Sequence, residues 1–170
     1  MKRIAKFYKV SIEQFEKDWI DTFGGSSEDA GKVYADIVIP RRATSGSAGY
    51  DIISPLDFKL NPGETIKIPT GIRARMDEEW VLMVFPRSGL GFKYRLQLNN
   101  TVGVIDSDYY GSDNEGHIFI KITNDTNENK TIEIKRGQGF AQGIFIPYGI
   151  TEDDDCDEVR NGGFGSTDNK

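Results

Sequence analysis

Apolar residues along this chain follow two different periods. Ile12, Phe15, Trp19 and Phe23 recur close to helical spacing and stop before Gly24 and Gly25, which predicts one amphipathic helix over 11–23. Ser11 and Gln14 have the spacing of a capping box at its start. Residues 24–32 mix Ser26, Ser27, Glu28 and Asp29 with glycines, and that composition predicts a coil-like linker. Beyond it the period shortens. Runs rich in Val, Ile, Phe and Tyr occupy about 33–39, 64–68, 71–76, 80–85, 117–123, 131–134 and 140–146, with turn signals such as Asn61-Pro62-Gly63 and Asn124-Asp125-Thr126-Asn127 between them. Many short strands divided by turns predict an all-β sandwich or barrel. An acidic run, Glu152-Asp153-Asp154-Asp155 with Asp157 and Glu158, separates the last strand from a Gly-rich tail. The expected organisation is an extension with a helix over 1–32, a β core over 33–150, and an acidic tether with a flexible tail over 151–170.

Composition narrows the chemistry. At 170 residues with 37% hydrophobic side chains, the chain fits one domain with a real core. A net charge of -6 and a pI of about 4.9 argue against broad electrostatic binding to nucleic acid or anionic membranes, so an anionic ligand must be met locally. The single cysteine, Cys156, excludes an internal disulfide and a Cys-based zinc or iron–sulfur site, and its acidic neighbours disfavour a reactive thiolate. No apolar run of signal-peptide or membrane-span length is present, and a reducing, cytoplasmic location is expected. The single histidine, His117, alternates with Phe119 and Lys121 as on a strand; a structural role is expected, not a zinc site or a hydrolytic triad. Ser45-Gly46-Ser47-Ala48-Gly49 lacks the first glycine of a nucleophile elbow, and no Walker A or Gly-x-Gly-x-x-Gly unit occurs.

Five segments combine glycine with charged or hydroxyl side chains: Ala48-Gly49-Tyr50-Asp51-Ile52; Pro86-Arg87-Ser88-Gly89-Leu90-Gly91; Asn100-Thr101-Val102-Gly103-Val104-Ile105-Asp106-Ser107-Asp108-Tyr109-Tyr110-Gly111; Gly137-Gln138-Gly139-Phe140-Ala141-Gln142; and Arg160-Asn161-Gly162-Gly163-Phe164-Gly165-Ser166-Thr167. Arg87, Ser88 and Gly89 offer a cationic fork, a hydroxyl and an approachable backbone, a set that suits phosphate oxygens, though a surface turn is the plainer reading of them alone. Asp106 follows apolar Val104 and Ile105, so its carboxylate emerges at a strand end, where it suits a general base or simply a turn. The last segment is a glycine hinge with an arginine, an aromatic plate and hydroxyls, able to close over an anion bearing a flat ring, or else a disordered terminus.

In this order the five segments resemble the trimeric dUTPase family, over roughly residues 33–170. Ile105-Asp106-Ser107-Asp108-Tyr109 and Gly162-Gly163-Phe164-Gly165-Ser166-Thr167 are close to word-for-word family motifs. The resemblance implies a jelly-roll-like subunit, a homotrimer with sites shared between chains, and hydrolysis of dUTP to dUMP and pyrophosphate. That reaction limits uracil in DNA and supplies dUMP for thymidylate synthesis. It implies that Asp106 activates the water attacking the α-phosphorus, and that Tyr109 lies under the deoxyribose and excludes a 2′-hydroxyl. Asn100 would bind uracil together with the hairpin backbone of Gly103, Val104 and Ile105. Arg87, Ser88, Gly89 and Gln142 would face the phosphates. Asp51 would touch the water shell of a Mg2+ held mainly by the triphosphate. Arg160, Phe164, Gly165, Ser166 and Thr167 would close over the nucleotide.

The chain departs from the family pattern in four places. Phe164 follows Arg160 by four residues where many members have five, and Asp168 stands where glycine is common. Ser112-Asp113-Asn114-Glu115-Gly116 is inserted where many members enter the next strand directly, and residues 1–32 precede the common core. The helix at 11–23 is expected to pack on the outside of the assembly, with binding of another protein as the alternative. Two other functions stay open. One is a dCTP deaminase-like enzyme, whose glutamate motif is not evident here; the other is a regulatory trimer that binds dUTP or a protein without useful turnover.

Overall fold

The structure is a computed structural model and describes residues 2–158. Its chain begins with β1 (Ala5–Lys9), α1 (Ile12–Phe23) and α2 (Ser27–Ala35). The strands β2 (Arg41–Arg42), β3 (Tyr50–Ile53), β4 (Phe58–Leu60), β5 (Thr65–Pro69), β6 (Ile72–Met76) and β7 (Trp80–Pro86) follow. A short helix, α3 (Ser88–Tyr94), leads to β8 (Leu96–Leu98), β9 (Gly103–Ile105) and a 3-10 helix (Ser107–Gly111). β10 (Phe119–Asn124), β11 (Ile132–Ile134) and β12 (Gly139–Pro147) complete the described elements.

The strands pair antiparallel into a five-stranded sheet, β2-β3-β12-β7-β9, a three-stranded sheet, β5-β10-β8, and the ribbons β1-β6 and β4-β11. The fold is all-β and jelly-roll-like, with helices added at the N-terminal side. Alternation drives it: in β10, Ile120 and Ile122 are buried while Lys121 between them is exposed, the period of a half-buried strand. Ile68, Leu82, Ile132 and Phe140 join them in the core. Burying each such side chain contributes roughly 1.5–3 kcal/mol.

The N-terminal third differs from the sequence expectation in three ways. β1 was not foreseen, because in Ala5–Lys9 only Phe7 is buried and a single apolar position carries no period. It pairs with β6 from Ala5 opposite Met76 to Lys9 opposite Ile72, and Phe7 packs against Tyr50 and Phe145 at centroid distances of 5.4 and 5.5 Å. The coil expected over 24–32 is a helix from Ser27 onward, since the Ser26 hydroxyl accepts from the Asp29 amide at 3.2 Å and caps α2. The strand expected over 33–39 does not form. Val33 and Tyr34 lie on the last turn of α2, and Ile37, just beyond its cap, is buried in the core.

The predicted helix is α1. Ser11 caps it by accepting from the Gln14 amide at 3.1 Å, but the reciprocal half of the capping box is absent. Gln14 donates instead to Asp18 at 2.8 Å, and the Ser11 amide donates to Glu115 at 2.8 Å. Phe15 and Trp19 are buried, with Phe15 5.6 Å from the Tyr34 ring and 6.1 Å from the His117 ring. α1 is therefore part of the core cluster. No described helix is long and apolar enough to cross a membrane.

Candidate active site

Three of the five chemical segments meet on the five-stranded sheet. β12 lies between β3 and β7, so Gln142 stands opposite both Asp51 and Phe85. Arg87, just beyond β7, reaches across: its Nε is 3.3 Å from Asp51 Oδ1, and its Nη1 donates to the Gly139 carbonyl at 3.2 Å. Gln142 donates from Nε2 to the Pro86 carbonyl at 3.1 Å. The glycines here permit close approach. A Cβ on Gly139 would come within 2.7 Å of Arg87 Nη1, and one on Gly49 within 2.5 Å of Gln142 Oε1. Ser88 and Gly89, both exposed, open α3, where first-turn amides have no partner inside the helix. The corner thus gathers a guanidinium, an amide, a hydroxyl and backbone donors, a set that binds phosphate oxygens.

The third motif is built differently. β8 joins the three-stranded sheet through β10 and β9 joins the five-stranded sheet through β7, so the two arms of this hairpin splay and are bridged at Leu98 and Thr101. Each arm is the edge of its sheet, which turns one row of backbone donors and acceptors toward the gap. A cavity of about 450 Å³ opens beside it, lined by Leu98, Asn100, Gly103, Val104, Ile105 and Phe119 among others. A flat ring with alternating donors and acceptors suits such a slot.

Asp106 and Tyr109 lie outside that cavity wall. Asp106 borders a neighbouring groove with Val81, Met83, Val104 and Tyr148. Tyr109 is buried in the 3-10 helix; its hydroxyl donates to the His117 carbonyl at 2.8 Å and accepts from Asn114 Nδ2 at 2.8 Å. One chain does not bring Asp106 to Arg87. Leu82 pairs with Ile105, so one further step of register sets Asp106 opposite Val81, and the six strand residues from there to Arg87 span about 20 Å. Arg160, Phe164, Gly165, Ser166 and Thr167 lie outside the described residues.

The sequence model of the dUTPase family matches residues 35–168. A deoxyuridine 5'-triphosphate nucleotidohydrolase of Lactococcus lactis is 46% identical over 136 residues, covering 78% of this chain and 89% of the relative. The chain belongs to the dUTPase family. A further relative of the same name from Escherichia coli is 39% identical over 142 residues, covering 79% of this chain and 89% of its own. The crystal structure of the Streptococcus mutans dUTPase aligns with a TM-score of 0.60 and 37% identity, over 69% of this chain and 91% of that one. The dUTPase of the Staphylococcus aureus phage phi11, described with a structural Mg(II) ion, aligns over 92% of this chain and 98% of its own with a TM-score of 0.61. At 21% identity it shows the fold alone.

Part of what surrounds this site leaves no mark in the sequence. Among the described residues no group of three His, Cys, Asp or Glu side chains could hold a metal ion, and the Asp51 carboxylate lies beside Arg87. The contacts from Asn114 and His117 to Tyr109 have no signal in residue spacing. His117 is buried and structural, accepting from the Gly71 amide at Nε2 (2.8 Å) and meeting Asp18 at Nδ1 (2.6 Å). The insert was visible as extra chain, but nothing in its composition tells which hydroxyl an asparagine will reach.

Proposed function

We propose that the chain hydrolyses dUTP to dUMP and pyrophosphate in a homotrimer whose sites combine groups from different copies. The family match and the names of both relatives support the reaction. The shared site is supported by one observation: Asp106, just past β9, stands opposite the start of β7 while Arg87 follows its end, about 20 Å away along the strand. A triphosphate held by Arg87 is out of reach of the same chain's Asp106, so a second copy must supply the base.

In this reading uracil enters the hairpin slot, where Asn100 and the backbone of Gly103, Val104 and Ile105 meet its edge. Cytosine would leave buried donors and acceptors mismatched there. The Tyr109 ring occupies the space a 2′-hydroxyl would need. Arg87, Ser88, Gly89 and Gln142 of a neighbouring copy hold the phosphate oxygens and spread their charge. The Asp106 carboxylate takes a proton from water as its oxygen bonds to the α-phosphorus. The bond from that phosphorus to the bridging oxygen breaks, and pyrophosphate leaves with the electron pair. Arg160, Phe164, Gly165, Ser166 and Thr167 close the site over the γ-phosphate and the base. Without a cluster of three ligands among the described residues, Asp51 suits Mg2+ that keeps most of its waters, and the ion would supply charge neutralisation along the triphosphate. The single exposed Cys156 agrees with a reducing, cytoplasm-like setting.

Subunit mixing tests the reading directly. Asp106→Asn and Arg87→Ala homotrimers should each release pyrophosphate from dUTP slower by roughly two to four orders of magnitude. Trimers reassembled from an equal mixture should regain about a quarter of wild-type sites, because a quarter of neighbour pairs combine an intact base with an intact arginine. Absence of recovery in trimers shown to be mixed would refute sharing, and absence of dUTP turnover by the parent protein would refute the activity.

A further inference from the structure

The insert 112–116 and α1 lie outside every role assigned so far, yet they converge on Tyr109. Asn114 donates from Nδ2 to the Tyr109 hydroxyl at 2.8 Å, and that hydroxyl donates to the His117 carbonyl at 2.8 Å. Asn114 is itself fixed: its Oδ1 accepts from the Gly116 amide at 3.1 Å, and its carbonyl accepts from the His117 amide at 3.1 Å. The loop around it is anchored to the N-terminal segment. Glu115 accepts from the Ser11 amide at 2.8 Å and the Ser11 hydroxyl at 2.6 Å, and Arg73 lies 3.5 Å from the same carboxylate. His117 is held by Asp18 of α1 at 2.6 Å. Arg73 also stacks on the Tyr110 ring at 3.6 Å and donates to the Tyr110 carbonyl at 2.8 Å.

We infer that Asn114 is a positioning residue for Tyr109, and that α1, through the loop it holds, helps set the discrimination between deoxyribose and ribose nucleotides. The inference rests on the proposed place of Tyr109 under the sugar. A phenol whose oxygen is hydrogen-bonded on both sides cannot carry the hydroxyl end of its ring sideways without losing a partner. Excluding one hydroxyl is a matter of about an ångström, so a ring that tilts when its tether is cut admits the ribose it formerly blocked. Both tether atoms come from the stretch 114–117, whose position depends on Ser11 and Asp18.

The test is the ratio of kcat/KM for dUTP to that for UTP, measured with thermal unfolding of each variant. Asn114→Ala should lower the ratio about tenfold, mainly by raising UTP turnover, while dUTP turnover changes little. Asn114→Asp has the same shape, keeps the acceptor for the Gly116 amide and loses the donor; it serves if the alanine variant does not fold and should shift the ratio in the same direction. Tyr109→Phe, which keeps the ring and removes the tether point, should lower the ratio as far as Asn114→Ala does, whatever it does to dUTP turnover itself, and the double variant should lower the ratio no further than either single one. Asp18→Ala should give a smaller shift of the same sign. An unchanged ratio in both folded Asn114 variants would overturn the inference. Tyr109→Ala that still excludes UTP would instead overturn the role of Tyr109 on which it rests, and a parent inactive on dUTP would overturn the activity, so the failures are separable.

Discussion

The phosphate corner and the Tyr109 clamp are two ways of preparing a site. In the corner, charged groups stay wet: the Arg87 side chain is 43% exposed and its Asp51 partner 25%, and they are aligned by strand register and by the Arg87 hydrogen bond to the Gly139 carbonyl. In the clamp, Tyr109 and His117 are buried and each polar atom described for them has a partner drawn from the insert, from α1 or from the turn at Gly71. Charge recognition tolerates solvent and some play, because an anion draws the guanidinium to itself. Exclusion of a hydroxyl by shape does not, and it needs rigid packing behind it. The core therefore serves the two regions unequally, and substitutions should separate them.

The sharpest separation comes from Phe15, the fully buried ring of α1 packed against Trp19, Tyr34 and His117. Phe15→Ala should cost about 3–5 kcal/mol of stability, read by urea unfolding. A loss below about 1 kcal/mol, the scale of an ordinary exposed site, would mean that α1 merely rests on the surface. Arg87→Ala should do the reverse. Its ion pair is solvent-exposed, so stability should change by less than about 1 kcal/mol. Its kcat/KM for dUTP should nevertheless fall about a hundredfold through lost phosphate contacts. Arg87→Lys should recover little of that, because an ammonium cannot reach Asp51, the Gly139 carbonyl and a phosphate with one planar fork.

Legibility divided along similar physical lines. α1 could be read because Ser11, Phe15 and Trp19 obey a cap-and-period rule that is local, and β5, β6, β7, β10, β11 and β12 because their apolar positions recur in tight runs. α2 was misread because Ser26, Ser27, Glu28 and Asp29 spell a turn as readily as a helix start, and Ala30 shows its burial only against α1. β9 was legible only as the apolar pair Val104-Ile105 ahead of Asp106, and β8, whose Leu96 and Leu98 flank a single exposed Gln97, was missed. Of the site, the residue types were visible as motifs, whereas the Arg87 to Asp51 pairing required the register of β12 with both neighbours. The Asn114 tether required a tertiary contact that no spacing encodes.

The smallest predicted effect concerns acid, and it again falls on the clamp. Burial raises the carboxyl of Asp18, but the hydrogen bonds from His117 and Gln14 outweigh it and hold the group below its usual 3.8. Glu115 is likewise raised by burial and more than compensated by the Ser11 hydroxyl and amide and by Arg73, ending below its usual 4.5. A carboxyl whose folded value is depressed contributes stability above its unfolded value and loses it as pH falls toward the folded one. The contribution should therefore be complete above about pH 5 and decline from about pH 4.5 downward, loosening α1 and the insert before the β core. The urea midpoint, followed by tryptophan fluorescence with Trp80→Phe so that Trp19 of α1 reports alone, should fall over that range. Glu115→Gln should lower the midpoint at pH 7 and flatten its descent in acid, since its amide keeps one acceptor for Ser11 and no longer titrates. An equally steep descent in that variant would assign the acid sensitivity to carboxylates elsewhere in the fold.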